Sequence, residues 1–310
     1  MRLIFMGTPD FAIPSLKKLI QSRHEIIGVL TAFDKPKGRG RKLSESPVKR
    51  FALEHNLKVL TPENLKDEAF VKTLKELRPD LMVVVAFRIL PEVVFSLPPL
   101  GTINLHASLL PKYRGAAPIN WALMNGENKT GLTTFFIRKK VDTGDLILQR
   151  EIEIHPEENF GELHDRMAQV GADVLFETVE LIERGEVKAL KQDDAFATPA
   201  PKITPEHCRI DWSREAIDIK NQIRGLAPSP GAFTFYRDKI LKIFKAQVVG
   251  DTQFTDDFGQ VLESDKKESL WVRTGRGILS LLEVQPEGKK RMSIEEFVRG
   301  YRVKPEEKLG

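Results

Sequence analysis

Short valine- and isoleucine-rich runs alternate with segments that repeat apolar residues every three or four positions. This predicts an α/β protein built on a Rossmann-like, mostly parallel sheet. A proline cluster at Pro199, Pro201 and Pro205 ends that pattern. The short, glycine-separated strands beyond it predict a small C-terminal β-barrel. With 310 residues the chain has room for both. The expected division is a first domain over 1–190, a linker over 191–207 and a barrel domain over 208–310.

Leu3–Met6, Ile26–Thr31, Leu81–Ala86 and Ile103–Leu105 read as strands buried on both faces. Between them, Phe11–Ile20, Pro47–His55 and Ala69–Leu77 carry the apolar spacing of covering helices. Thr133–Arg138 and Leu146–Ile154 read as further strands, and Leu163–Ile182 as a long amphipathic helix stopped by Gly185. Beyond the linker come a helix over Ala216–Leu226 and strands over Ala232–Tyr236, Leu241–Val249, Leu270–Arg273 and Ile278–Val284.

At 41% hydrophobic and 30% charged residues, the composition excludes a disordered or fibrous chain. Cys208 is the only cysteine, which rules out an intrachain disulfide and a thiolate-rich zinc site and points to a reducing compartment. The longest apolar stretch, Leu81–Phe87, is too short to cross a bilayer, so a cytoplasmic protein is expected. With no obvious apolar surface helix, a monomer is expected.

The formal charge is +4, but its distribution is uneven. Between Asp34 and Arg50, seven basic residues, among them Lys37, Arg39, Arg41 and Lys42, face only two acidic ones. Gly38 and Gly40 make this a flexible loop. A solvated loop ordinarily mixes its charges, so this one is expected to meet a phosphate backbone. It contains no aromatic residue, which argues against base stacking there.

Gly7-Thr8-Pro9-Asp10-Phe11 follows the first strand, where dinucleotide enzymes place three glycines. The single glycine argues against a nicotinamide or flavin site, and no triphosphate-binding loop is found. Of the six histidines, His24, His55, His155, His164 and His207 lie near predicted element ends, as surface histidines do. His106 instead ends a predicted central strand, and the period of two places Asn104 on the same side. Open α/β sheets bind ligands at such strand ends. A core histidine bonded to backbone remains the alternative at that position.

Asp142 adds a carboxylate in a compact Asp-Thr-Gly turn, a pattern that turn geometry also favours without any function. Taken together, an amide donor, an imidazole and a carboxylate suffice for acyl transfer to an amine. The carboxylate favours protonated imidazole, imidazolium and amide stabilise a tetrahedral oxyanion, and one group removes the amine proton. No nucleophilic serine or cysteine is needed. Between them, Ser108 to Ile119 holds two prolines and a glycine in a rigid loop leading into a helix.

These residues resemble the methionyl-tRNA formyltransferases of the folate-dependent formyltransferase superfamily. The resemblance rests on Gly-Thr-Pro-Asp-Phe at 7–11, Gly-Arg-Gly at 38–40, Ser-Pro-Val-Lys at 46–49 and Ile-Asn-Leu-His-x-Ser-Leu-Leu-Pro-x-Tyr-Arg-Gly-Ala-Ala-Pro-Ile at 103–119. It continues through Val-Asp-Thr-Gly-Asp at 141–145, Ile-Asp-Trp-Ser at 210–213, Ile-Arg-Gly-Leu-Ala-Pro-Ser-Pro-Gly-Ala at 223–232 and Gln-Pro-Glu-Gly-Lys-Lys-Arg-Met-Ser at 285–293. The central motif alone marks the superfamily, whereas the basic loop and the second domain narrow it to the tRNA enzymes.

The resemblance implies transfer of a formyl group from 10-formyltetrahydrofolate to the amine of methionine on initiator tRNA, without a metal. Asn104, His106 and Asp142 match the family's catalytic trio, and Ser108, Leu109, Leu110 and Pro111 its folate-binding stretch. Lys37, Arg39, Arg41 and Lys42 fall in its tRNA-reaching insertion, with Arg39 the best single candidate. The second domain resembles its OB-like, tRNA-holding barrel. Two departures stand out. Ala86-Phe87-Arg88-Ile89-Leu90-Pro91 lacks the family's usual aromatic-glycine pair and is a residue shorter. Pro-Ser-Pro at 228–230 replaces the commoner Pro-Trp-Pro.

Two rivals compete. A formyltransferase acting on a small amine, such as glycinamide ribonucleotide or an amino sugar nucleotide, would leave the basic loop and second domain without a role. A non-catalytic RNA-binding module would leave the Asn104–His106 pair an accident.

Overall fold

In a computed structural model, residues 1–37, 42–262 and 269–310 are described. The chain divides into two compact units, each discontinuous in sequence. The first comprises residues 1–115, 129–153 and 164–200, the second 116–128, 154–163 and 201–310.

The first unit holds strands β1 (Arg2–Gly7), β2 (Glu25–Leu30), β3 (Lys35–Lys37), β4 (Lys42–Ser44), β5 (Val59–Leu60), β6 (Leu81–Val85), β7 (Thr102–His106), β8 (Arg114–Gly115), β9 (Lys129–Phe136), β10 (Leu146–Glu153) and β11 (Pro199–Ala200). Its main sheet has the order β10-β9-β7-β6-β1-β2-β5. The pairs β5/β2, β2/β1, β1/β6 and β6/β7 are parallel, while β9 runs antiparallel to both β7 and β10. All five residues of β6 are buried, as expected of a strand covered on both faces. One face of the sheet buries Ile4, Met6, Ile27, Met82 and Val84 with Val71, Leu74 and Val94 from the covering helices. Each fully buried side chain of this size contributes about 1.5–3 kcal/mol.

Helix starts follow local chemistry. Ser46 Oγ accepts from Lys49 N at 3.0 Å ahead of Pro47 in the first turn of helix Pro47–Glu54. Asp67 Oδ1 accepts from Phe70 N at 2.8 Å to open helix Glu68–Leu77. The long helix spans Phe160–Glu183. His24, expected at the surface, is buried instead. Its Nε2 lies 2.9 Å from Glu180 Oε1 on that helix, so a carboxylate on a distant element supplies the polar partner that burial demands.

The basic segment forms the short hairpin β3/β4, pairing Lys35 with Ser44 and Lys37 with Lys42. Arg39 and Arg41 lie outside the described residues. Lys49, one of the seven cations of this stretch, is already committed: it pairs with Asp34 and, at 3.1 Å, with Glu45. The hydrogen bond that its ammonium donates to Asp34 holds its pKa above the usual lysine range.

The expected linker over 191–207 is divided by the contacts at Ala200. Its first part is tied into the first unit. β11 pairs in parallel with β8, and Leu146 N donates to Leu190 O at 2.7 Å. Proline spacing signals extended chain but not whether that chain finds a strand edge.

The second unit contains β12 (Ala232–Tyr236), β13 (Lys239–Gln253), β14 (Val261–Leu262), β15 (Leu270–Arg273), β16 (Arg276–Pro286) and β17 (Met292–Ser293). The antiparallel order is β12-β13-β16-β15-β14, with β17 also on β16. The C-terminal segment joins the two edges. Leu309 N donates to Gly259 O and Gly310 N to Phe235 O, both at 2.9 Å, so the sheet closes as a small barrel. β13 is longer than the expected 241–249 because register shifts along its pairing with β16 bend it around the barrel. Helix Ala216–Leu226 packs Ile219, Ile223 and Leu226 into this core. Helix Pro118–Met124 joins the same unit, with Asn120 Nδ2 donating to Gly225 O at 2.8 Å. That tertiary contact has no signature in local periodicity.

Candidate active site

Asn104 and His106 sit on β7, whose neighbours are β6 on one side and β9 on the other. Both edges of β7 are therefore hydrogen-bonded, and its side chains are fixed by sheet geometry. Four of its residues are buried, and Asn104 alone is half-buried. It lines an open cleft with about 530 Å³ of empty space, together with Val84, Phe87, Arg88, Phe135, Val141 and Asp142. Among the described residues, the Asn104 carboxamide has no hydrogen-bond partner.

His106 is buried, at 6% exposure. Its Nε2 lies 2.8 Å from Tyr113 O, and a carbonyl can only accept, so Nε2 carries a proton. That leaves Nδ1 directed at Asp142, 3.9 Å from Oδ2. Tyr113 turns its carbonyl toward the ring from a left-handed conformation, φ 61°. The reading of His106 as a core histidine bonded to backbone is thus half right: one nitrogen is so used and the other is not.

Asp142 lies in the turn between β9 and β10, itself left-handed at φ 54°. Its Oδ2 accepts from Gly115 N at 2.9 Å. The turn closes through Phe136 N donating to Asp145 O at 3.0 Å and Thr143 Oγ1 donating to Lys140 O at 2.8 Å. Gln192 supports it from beneath, its Nε2 donating to Asp142 O at 3.0 Å and Gly144 O at 2.8 Å. The structure therefore brings Asn104, His106 and Asp142 together at the carboxyl end of a central strand. The period of two predicts the shared side of Asn104 and His106, whereas the approach of Asp142 comes from the pairing of β9 with β7.

Ser108, Leu109, Leu110 and Pro111 are placed differently. None lines this cleft. Ser108 Oγ is committed to Lys112 O at 2.6 Å, and Ser108 O accepts from Thr133 Oγ1 at 2.6 Å. Leu110 N donates to that same Oγ1 at 3.1 Å, and Gln149 Nε2 donates to Leu110 O at 2.8 Å. What this stretch visibly does is hold the loop that presents Tyr113 O and Gly115 N to His106 and Asp142.

Just before Phe87, Ala86 takes a left-handed conformation with φ 49°. Arg88 anchors the loop, with Nη1 donating to Glu63 O at 2.8 Å and Nη2 to Pro62 O. Burial lowers the affinity of its guanidinium for its proton. Ile89 stays 74% exposed at the cleft, an apolar rim beside the basic Arg88, Arg138 and Lys139. Neither Gln192 nor this rim is marked in the sequence by periodicity or a motif. The nearest signal is the departure at 86–91 itself.

The formyl transferase family pattern matches residues 1–179, and the pattern of the formyl transferase C-terminal domain matches residues 202–302. A methionyl-tRNA formyltransferase from Alkaliphilus oremlandii is 48% identical over 100% of both chains. One from Caldanaerobacter subterraneus subsp. tengcongensis is 49% identical over 98% of both. Among solved structures, a sugar 3N-formyl transferase matches with a TM-score of 0.67 at 20% identity, over 94% of this chain and 99% of that one. The methionyl-tRNA formyltransferase from Clostridium thermocellum matches with a TM-score of 0.55 at 19% identity, over 80% of this chain and 94% of that one. At those identities the structural matches show the fold.

Proposed function

We propose that this chain, which belongs to the formyl transferase family, moves a formyl group from 10-formyltetrahydrofolate to the amino group of methionine esterified to initiator tRNA. The observation that carries the chemistry is the convergence of Asn104, His106 and Asp142 at one strand end, with the Asn104 amide in the cleft and without a hydrogen-bond partner among the described residues. The observation that selects the amine is the full-length likeness to tRNA enzymes at 48% and 49% identity, second domain included. A small-amine reading accounts for the trio, and a sugar 3N-formyl transferase shares the fold over 94% of this chain. The full-length sequence likeness, not the second domain by itself, therefore favours the tRNA amine.

In this reading Asn104 donates to the formyl oxygen as negative charge develops there, and the protein need not reorganise to do so. The fixed Nε2–H of His106 presents Nδ1 toward Asp142, and the pair takes the amine proton as the new C–N bond forms. The tetrahedral intermediate collapses by breaking the bond to N10 of the folate, which leaves with that proton. The 3.9 Å separation of His106 and Asp142 is wider than a direct hydrogen bond, as is common before substrate tightens a site. Phe87 and Ile89 offer the reduced folate apolar surface at the cleft, and Ser108, Leu109, Leu110 and Pro111, which do not line it, are assigned to the folate on the family resemblance alone. The residues present supply acid–base and oxyanion chemistry, which fits a reaction needing no metal. Among the described residues no helix is long and apolar enough to cross a membrane. The likeness to methionyl-tRNA formyltransferases supports action in the cytoplasm, where charged initiator tRNA is found, and we assign a monomer.

The test offers methionyl initiator tRNA, methionyl elongator tRNA, free methionine and glycinamide ribonucleotide side by side with 10-formyltetrahydrofolate. Transfer confined to the initiator species is expected. Transfer to glycinamide ribonucleotide alone would sink the tRNA assignment while keeping the trio.

Lys37, Arg39, Arg41 and Lys42 are assigned to the tRNA backbone. Arg39→Ala should weaken tRNA binding and reduce the slope of log affinity against log salt by roughly 0.7–0.9, the loss of one neutralised phosphate. Titrations across a salt series measure it. An unchanged slope would return the loop to ordinary surface.

A further inference from the structure

Gln192 is 8% exposed, and its side chain makes four hydrogen bonds that link two pieces of the site. Its Oε1 accepts from Arg114 Nε at 3.1 Å and from Nη2 at 2.7 Å. Its Nε2 donates to the carbonyls of Asp142 at 3.0 Å and Gly144 at 2.8 Å. A guanidinium can only donate and a carbonyl can only accept, so the amide has one permitted orientation. Arg114 is held in turn by Asp194, 2.7 Å from its Nη2, and that hydrogen bond keeps the Asp194 carboxyl below the usual range. The residue after Arg114 supplies the N–H that binds Asp142 Oδ2. Two adjacent residues of β8 thus govern both ends of Asp142, its main chain through Gln192 and its carboxylate directly.

A non-glycine residue at φ 54° needs such support to stay there. The segment carrying Gln192 is held independently of its side chain, by the Leu190–Leu146 bridge and by β11 on β8. Loss of the amide therefore removes the grip on the Asp142 turn without detaching the strand.

We propose that Gln192, oriented by Arg114, is a positioning residue that aims the Asp142 carboxylate at His106 for formyl transfer. This rests on the reading of Asp142 and His106 given under Proposed function. The test is a double-mutant cycle in the full chain, measured with methionyl initiator tRNA and 10-formyltetrahydrofolate. Gln192→Met keeps the volume and loses both donors. Gln192→Glu keeps the contact with Arg114 and turns an oxygen toward the two carbonyls.

Each should lower kcat by about 10- to 100-fold, the range for losing a group that orients a reacting one. KM for both substrates should stay within about twofold. In an Asp142→Asn background the same substitutions should cost no more than about twofold further, because the group they position is already gone. Equal fold losses in the two backgrounds, or an unchanged kcat in the single variants, would overturn the proposal. If Gln192→Met does not fold, Gln192→Glu carries the same comparison. A wild-type protein that leaves methionyl initiator tRNA unformylated is a separate outcome, visible before any variant is made, and it strikes the functional reading instead.

Discussion

His106→Ala and Asp142→Ala should each lower turnover by about two orders of magnitude or more while leaving the protein folded. A hundredfold loss corresponds to about 2.7 kcal/mol of transition-state stabilisation, the scale on which one acid–base or oxyanion group acts. The structural cost is of the same order and is read separately by melting. His106 gives up its hydrogen bond to Tyr113 O, and losing one buried hydrogen bond costs about 1–3 kcal/mol. Asp142→Ala leaves Gly115 N without its acceptor at a comparable cost. Asn104→Ala separates the two quantities best. The Asn104 side chain has no hydrogen-bond partner among the described residues, so turnover should fall while the melting temperature stays put. Single-turnover rates together with thermal melts decide each case. Wild-type rates in any one variant remove that residue from the mechanism.

How much of this was legible in the sequence depends on which interactions made it. The buried strands were legible because a strand covered on both faces must be apolar throughout, as Leu81–Val85 is. The pairing of Asn104 with His106 on one side followed from the period of two in a strand. Asp142 was visible as a turn, but its approach to His106 depends on β9 pairing antiparallel to β7, and no local pattern encodes that. Gln192 was invisible for a different reason. It is one polar residue in an irregular, proline-flanked stretch, and its partners lie 48 to 78 positions away. His24 failed likewise, since Glu180, 156 positions on, is what makes its burial tolerable. The second unit's use of residues 116–128 and 154–163 belongs to the same class. Periodicity reports which face is buried, and it does not report against what.

Gly144→Ala should be the most damaging small substitution in the site. A Cβ there would lie 1.5 Å from the carbonyl oxygen of Phe136 and 2.8 Å from its carbon, both backbone atoms of β9. Phe136 N is bonded across the same turn to Asp145 O, so the strand cannot retreat without breaking the turn's closure. The turn must move instead, and it carries Asp142 away from His106 and Gly144 O away from Gln192. Turnover should fall about as far as in Asp142→Ala, roughly a hundredfold. Overpacking of this kind costs about 1–3 kcal/mol, or several degrees of melting temperature in a chain this size. Gly185→Ala makes the control. Nothing lies within 4 Å of its Cβ position, and its penalty comes from φ 68° alone, roughly 1–2 kcal/mol. The two variants should therefore lose similar stability, and only the first should lose turnover. Equal, near-wild-type rates in both would mean that the Asp142 turn can shift by the width of a methyl group without consequence, and the tight geometry argued for the His106–Asp142 pair would fall with it.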